Sequence, residues 1–127
     1  MLHRPINAAG TPTPAGGYAQ AALVTGADEW LLISGQIPET ADGVVPPTFD
    51  EQADLAWANV MAQLEAADMG VAELVKVTTF LSSRTHNLAN RAARRRALGE
   101  HTPALTVIIT GIFDERWLLE IEALAAR

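Results

Sequence analysis

Apolar residues recur along this chain in two periods, and the switches between those periods mark its elements. Residues 18–24 (YAQAALV) and 29–34 (EWLLIS) are apolar runs of strand length. Between them Thr25-Gly26-Ala27-Asp28 is turn chemistry, so the pair predicts a hairpin. The second run is apolar enough to expect burial on both faces. Gly35 ends it, and the prolines from Pro38 to Pro47 exclude a regular ladder there. Over 48–69 the period lengthens. Phe49, Ala53, Ala56, Trp57, Val60, Leu64 and Ala67 recur at three- and four-residue steps, the stripe of an amphipathic helix. Thr48 and Glu51 have the spacing of a capping box, and Gly70 is the expected left-handed residue at the far end.

Alternation returns in 74–82 (LVKVTTFLS), a third strand with Val75, Val77, Thr79 and Leu81 on one side. A second helix is expected over about 87–98, stopped by Gly99, with an alanine-rich apolar face that includes Leu88 and Leu98. Two strand-length runs close the chain, 104–110 and 117–125, separated by 111–116. In the last run Trp117, Leu119, Ile121 and Ala123 alternate with Leu118, Glu120, Glu122 and Leu124. Two carboxylates therefore share one face of a largely apolar strand, their alpha carbons roughly 7 Å apart.

The order ββαβαββ, with both helices amphipathic, predicts an α+β sandwich: one mixed β-sheet with two α-helices on one face. The other sheet face would then carry Trp30, Leu32, Ile109 and Leu118, an apolar patch of the kind that oligomers cover. Residues 1–17 show no periodicity and are rich in Gly, Pro, Ala and Thr, which reads as a loop or arm. The whole chain of 127 residues is expected to be a single domain.

Composition narrows the chemistry. The formal charge is −6, which disfavours nucleic acid as a partner. Four arginines, Arg91, Arg94, Arg95 and Arg96, fall in one short stretch. The plainer reading is a solvated helix face, the functional one an anion or RNA patch. There is no cysteine, hence no disulfide, thiolate metal site or cysteine nucleophile. No signal peptide and no apolar run approaching the roughly 20 residues of a bilayer span are seen, so a cytoplasmic protein is the expectation. Nucleophile elbow, P-loop and dinucleotide fingerprint are all missing, and His3, His86 and His101 have no metal-ligand spacing.

That leaves Glu120 and Glu122. Taken alone, they suit a solvated strand edge or an arginine pair. The functional alternative puts Glu120 in a cleft between subunits, where desolvation raises its pKa and lets it orient or deprotonate a water. Tyr18, the lone tyrosine, and the strand end Ser34-Gly35 are weaker candidates for lining a small-ligand site.

Several motifs stand in a recognisable order: GGYAQA (16–21), SGQIP (34–38), VKVTTFL (75–81), GEHTPA (99–104) and EIEALA (120–125). In order and spacing they resemble the RidA (YjgF) family, over nearly all of the chain after about residue 12. The resemblance implies a chorismate-mutase-like α+β fold and a homotrimer with a small-molecule ligand in each inter-subunit cleft. It also implies hydrolysis of reactive imines and enamines without cofactor or metal. Glu120 would position the water, with Tyr18, Ser34 and Gly35 lining the pocket. The sequence departs from the imine-deaminating branch after Pro103-Ala104, where an arginine would grip the substrate carboxylate. Here Leu105 and then Thr106 follow, and leucine cannot replace a bidentate charge-assisted contact. Reduced or absent activity on amino-acid-derived imines is therefore expected, unless Arg94 or Arg116 reaches the cleft. The alternative is a non-catalytic trimeric small-molecule sensor or partner-binding protein.

Overall fold

The computed structural model describes residues 2–127. Strand β1 (Leu2–Ile6) pairs antiparallel with β2 (Ala21–Thr25), Leu2 opposite Thr25 and Ile6 opposite Ala21. The remaining strands, β3 (Trp30–Gln36), β4 (Leu74–Leu81), β5 (Ala104–Ile109) and β6 (Leu119–Ala126), form a second sheet in the order β3-β6-β4-β5. Helices α1 (Phe49–Ala66) and α2 (Asn87–Leu98) cover one face of it. Only β4 and β5 run parallel, and α2 is the crossover that parallel neighbours require. The mixed sheet with two helices on one face is thus the architecture that the pattern predicts.

The expected hairpin of 18–24 with 29–34 does not form. β2 takes β1 as its partner, so the segment read as an arm contains a strand. The start of β3 is tied elsewhere: the N–H groups of Asp28 and Glu29 both donate to the Arg127 carbonyl, at 2.8 and 3.0 Å. Residues 25–28 therefore turn a corner between two sheets. β1 is poor in alternation and contains Pro5, which an edge strand tolerates. Ahead of β2, the Ala19 N–H donates to the Pro103 carbonyl at 3.0 Å and docks this segment at the start of β5.

The capping of α1 follows its sequence at one end only. The Thr48 hydroxyl accepts the Glu51 N–H at 3.3 Å and itself donates to the Glu51 carboxylate at 3.1 Å. At the C-terminus the left-handed residue is Asp68, with φ 55°, rather than Gly70. Met69 donates to the Leu64 carbonyl and Asp68 to that of Glu65, the paired bonds of a Schellman motif. Aspartate tolerates that conformation better than most side chains.

The core lies between the helices and the inner sheet face, where Val60 and Leu64 of α1 meet Val77 and Leu81 of β4 and Leu119 and Ile121 of β6. On α2 the inner face is Asn90, Ala93, Arg94 and Leu98. Leu88, expected there, is instead 72% exposed. Among the described residues no helix covers the opposite sheet face. Trp30 and Leu32 stand on it at 50% and 75% exposure, so β3 is buried on one side only. Two other residues expected on that face lie elsewhere. Leu118 precedes β6 and packs against the core. Ile109 shares its side of β5 with Leu105, which also packs against the core, and Ile108 takes its place on the open face.

Candidate functional site

Glu120 sits on the open face of β6, opposite Phe80 of β4. Its carboxylate lies against Gly35 so closely that a Cβ at position 35 would overlap it. The constraint there is space, not backbone conformation: a larger residue would displace the Glu120 carboxylate. The pairing of β3 with β6 shifts register between Ile33 and Gln36, so Ser34 and Gly35 fall in an irregularity of the ladder. Such bulges re-aim the chain beside sites. The Ser34 side is exposed, and its carbonyl accepts the Gln36 amide at 2.9 Å. A cavity of about 250 Å³ opens beside Glu120, walled by Phe80, Thr110, Gly111, Ile112 and Phe113. Burial, and next the charge of Glu122 on the same face, raise the Glu120 pKa above the ordinary glutamate value.

Tyr18 and Leu105 meet in a different place. Together with Val107 of β5 and Asn87, Asn90, Arg91 and Arg94 of α2 they line a cavity of about 290 Å³ between β5, α2 and the loop before β2. The Tyr18 hydroxyl accepts the Ala15 N–H at 3.2 Å. Thr106, one residue on, faces the other way and accepts from Lys76 Nζ at 2.6 Å. One chain therefore does not bring the six sequence-predicted residues together. Gly35 and Glu120 touch, with Ser34 alongside, on the open face. Tyr18 and Leu105 share a cavity on the helix side.

The arginine stretch of α2 is not one solvated face. Arg94 is buried, at 4% exposure. Burial above all, and then Arg91, push its pKa below that of an ordinary arginine. Arg96 pairs with Asp54 at 2.9 Å. Arg95 lies against the Gly16 backbone. Arg116 is held by Asp114 at 2.8 Å and lines neither cavity, whereas Arg94 lines the one floored by Leu105. Asn90 was missed by sequence reasoning. Its signal was a polar residue in phase with Ala93 and the other inner positions of α2. Among the described residues no group of three or more His, Asp or Glu is placed to hold a metal ion.

Residues 8–127 match the sequence profile of the family described as Endoribonuclease L-PSP. The chain belongs to this family, whose members also carry the names RidA, YjgF and RutC. A RutC family protein of Haemophilus influenzae is 32% identical over 132 residues, spanning 100% of this chain and 99% of its own. The 2-iminobutanoate/2-iminopropanoate deaminase of Escherichia coli K12 is 30% identical and spans 99% of both. A Rid-family protein of unknown function, YyfB from Yersinia pestis, superposes on all of this chain with a TM-score of 0.86 at 23% identity, a likeness of fold.

Proposed function

We propose that three copies of this chain assemble through the open sheet face. In that assembly the Glu120 half-site of one protomer meets the Tyr18–Leu105 half-site of its neighbour, and the cleft so formed hydrolyses a small imine or enamine. The observation that carries this reading is Glu120: a carboxylate of raised pKa held against a glycine beside a cavity, on the sheet face that also exposes Trp30 and Leu32. A water between Glu120 and a C=N carbon would lose a proton to the carboxylate as its oxygen bonds to carbon. Returned to nitrogen, that proton makes an amine leaving group. The C–N bond then breaks as the hydroxyl proton passes, through the same carboxylate, to the departing nitrogen, so that the carbonyl forms and ammonia leaves. No redox step is needed. Leu105 supplies no charge for a substrate carboxylate, so activity on amino-acid-derived imines should be lower than that of the deaminase relative.

The test generates 2-iminobutanoate with an amino-acid oxidase and traps what survives with semicarbazide. Faster loss of the imine with the purified protein supports the reading, and a panel of imines and enamines left untouched overturns it. Ligand-dependent thermal shifts without turnover would favour the non-catalytic reading, for which Leu105 is the specific argument. An RNA partner is disfavoured by the −6 charge and by the dispersal of the α2 arginines. Any RNA binding should disappear at physiological salt.

Assembly has its own test. Leu32 is 75% exposed and stands opposite Leu124 on the open face. Leu32→Arg puts a charge into the proposed interface without touching the core. Sedimentation should then shift from trimer to monomer while the circular dichroism spectrum is unchanged. A trimer that survives Leu32→Arg would place the interface elsewhere.

A further inference from the structure

Asp54, Trp57 and Met61 stand on one strip of α1, at three- and four-residue steps. Facing them, α2 presents Arg96 and the short side chain of Ala97. A groove of about 560 Å³ results between the two helices, with Val71, from the turn that leads into β4, also in its wall. Its walls are mostly apolar, and Met61, Val71 and Ala97 pack against the core behind them. The volume is that of a small-molecule site. The groove shares no residue with the Glu120 cavity or with that of Tyr18 and Leu105. Asp54 and Arg96 at its rim are exposed, which puts it on the solvent side of the helix layer. It therefore stays open in an assembly built on the open sheet face.

One polar group in this groove is left over. Trp57 is 3% exposed, and its indole nitrogen lies out of solvent with no hydrogen-bond partner. An indole N–H only donates, and when buried it normally finds an acceptor. Leaving it unpaired is a standing cost to the fold, which an acceptor brought in by a ligand would recover. The wall can yield to admit one, because Met61 is unbranched and repacks readily. The charges at the rim are already matched: Arg96 Nε and Nη2 both donate to Asp54 Oδ1, at 3.1 and 2.9 Å. No other charged residue lines the groove, so a net charge on a ligand would meet no free opposite charge. The polar demand of the site is thus one acceptor and no charge, on a body that is otherwise apolar.

We propose that the groove between α1 and α2 is a second ligand site, which binds a small neutral carbonyl compound, a ketone or ester with an apolar body, whose oxygen accepts the Trp57 indole N–H. Met61, Val71 and Ala97 take the apolar body. The site binds its ligand without converting it. Its lining holds no hydroxyl, thiol or imidazole, and its single carboxylate is engaged by Arg96. The inference stands apart from the hydrolytic reading of Glu120 and does not rest on it.

The experiment is an NMR titration of the isotope-labelled full chain, read at the indole N–H signals of Trp30, Trp57 and Trp117 and at the backbone amides of the groove. The probes are acetophenone, its isostere α-methylstyrene, in which a methylene replaces the oxygen, and benzoate as the charged counterpart. With acetophenone the Trp57 indole proton should move downfield, as a donor does on gaining an acceptor, while those of Trp30 and Trp117 stay in place. Acetophenone should bind at least about 5-fold more tightly than α-methylstyrene, the gap expected of one recovered hydrogen bond. Trp57→Phe should close that gap. Ala58→Phe is a second variant that does not depend on the first folding. Ala58 lines the groove from the exposed side of α1, so the added ring should fill the site, abolish binding of both probes and leave the core intact. Equal affinity for acetophenone and α-methylstyrene overturns the proposal, as does a Trp57 indole signal that stays put while acetophenone saturates the groove. So does a gap that survives Trp57→Phe, binding that survives Ala58→Phe, or a groove that shows no shift up to the solubility limit of acetophenone. Tighter binding of benzoate than of acetophenone would overturn the assignment of a neutral ligand. None of these readouts involves turnover or Glu120, so this inference and the hydrolytic reading fail separately.

Discussion

Glu120→Gln is expected to lower turnover by about 10²–10⁴-fold, the range in which a positioned general base contributes. The amide keeps the shape of the side chain and loses the ability to take a proton from water. The fold should not suffer. Burial and Glu122 raise the Glu120 pKa, so the folded state binds this proton more readily than the unfolded chain does. The stability linked to Glu120 therefore grows as pH falls through the folded pKa, and the ionised form is a burden at neutral pH. A neutral amide removes that burden, so Tm should hold or rise. Turnover has the opposite pH dependence, because the working form is the carboxylate: it should fail as pH drops through a pKa above the usual 4.5. Glu122→Gln should move this acid limb to lower pH without removing it, since burial is the larger cause of the shift. Gly35→Ala offers an independent check on the position of the carboxylate. Its Cβ would take the space of the Glu120 oxygens, so the carboxylate must swing away, and turnover should fall as in Glu120→Gln. Full activity in Gly35→Ala would mean that the packing of Glu120 on this glycine is irrelevant to chemistry.

The carboxylate face was legible because alternation in β6 is strict, and the buried positions Leu119, Ile121, Ala123 and Ala125 leave Glu120 and Glu122 nowhere but the other side. The helix stripe of α1 was legible for the same reason, with period 3.6 in place of 2. Strand pairing was not. Periodicity says which residues share a face and is silent on which strand lies beside which, so nothing in 18–24 distinguished β1 from β3 as its partner. The left-handed turn after α1 was misplaced onto Gly70 because glycine is the default there, although the Schellman bonds needed it two residues earlier, at Asp68. Arg94 shows the deepest limit. On a helical wheel an arginine among arginines reads as solvent-facing, and its burial follows from the Gly16–Gly17 loop and β5 closing over α2. The separation of the candidate residues onto two sheet faces is also tertiary. Leu105 and Thr106 are neighbours in sequence and point to opposite sides of the sheet.

Gln52 supports the site from behind, and its replacement should have the largest effect on stability. It lies on the apolar stripe of α1 between Phe49 and Ala56 and is 2% exposed. Its amide donates to the Pro46 carbonyl at 2.9 Å and to the Arg116 carbonyl at 3.0 Å, and its side-chain oxygen accepts the Leu118 N–H at 2.8 Å. One side chain thus clamps the loop before α1 to the connector that enters β6, two residues before Glu120. Gln52→Leu keeps the approximate volume and strands three backbone groups. At about 1–3 kcal/mol for each buried group left unsatisfied, and allowing for water reaching some of them, the cost is about 3–5 kcal/mol. That is a large share of the roughly 5–15 kcal/mol that holds a domain folded. It corresponds to a fall in Tm of about 10–20 °C in a chain of this size. Gln52→Glu separates the clamp from packing. Ionised, it keeps the acceptor for Leu118 and turns a second oxygen toward two carbonyls; protonated, it regains one donor. Its deficit should therefore shrink as pH falls, whereas that of Gln52→Leu should not depend on pH. Thermal denaturation of both variants across that range is the measurement. A Gln52→Leu protein within about 0.5 kcal/mol of the parent, the ordinary range for surface substitutions, would show that these three bonds do not hold the connector.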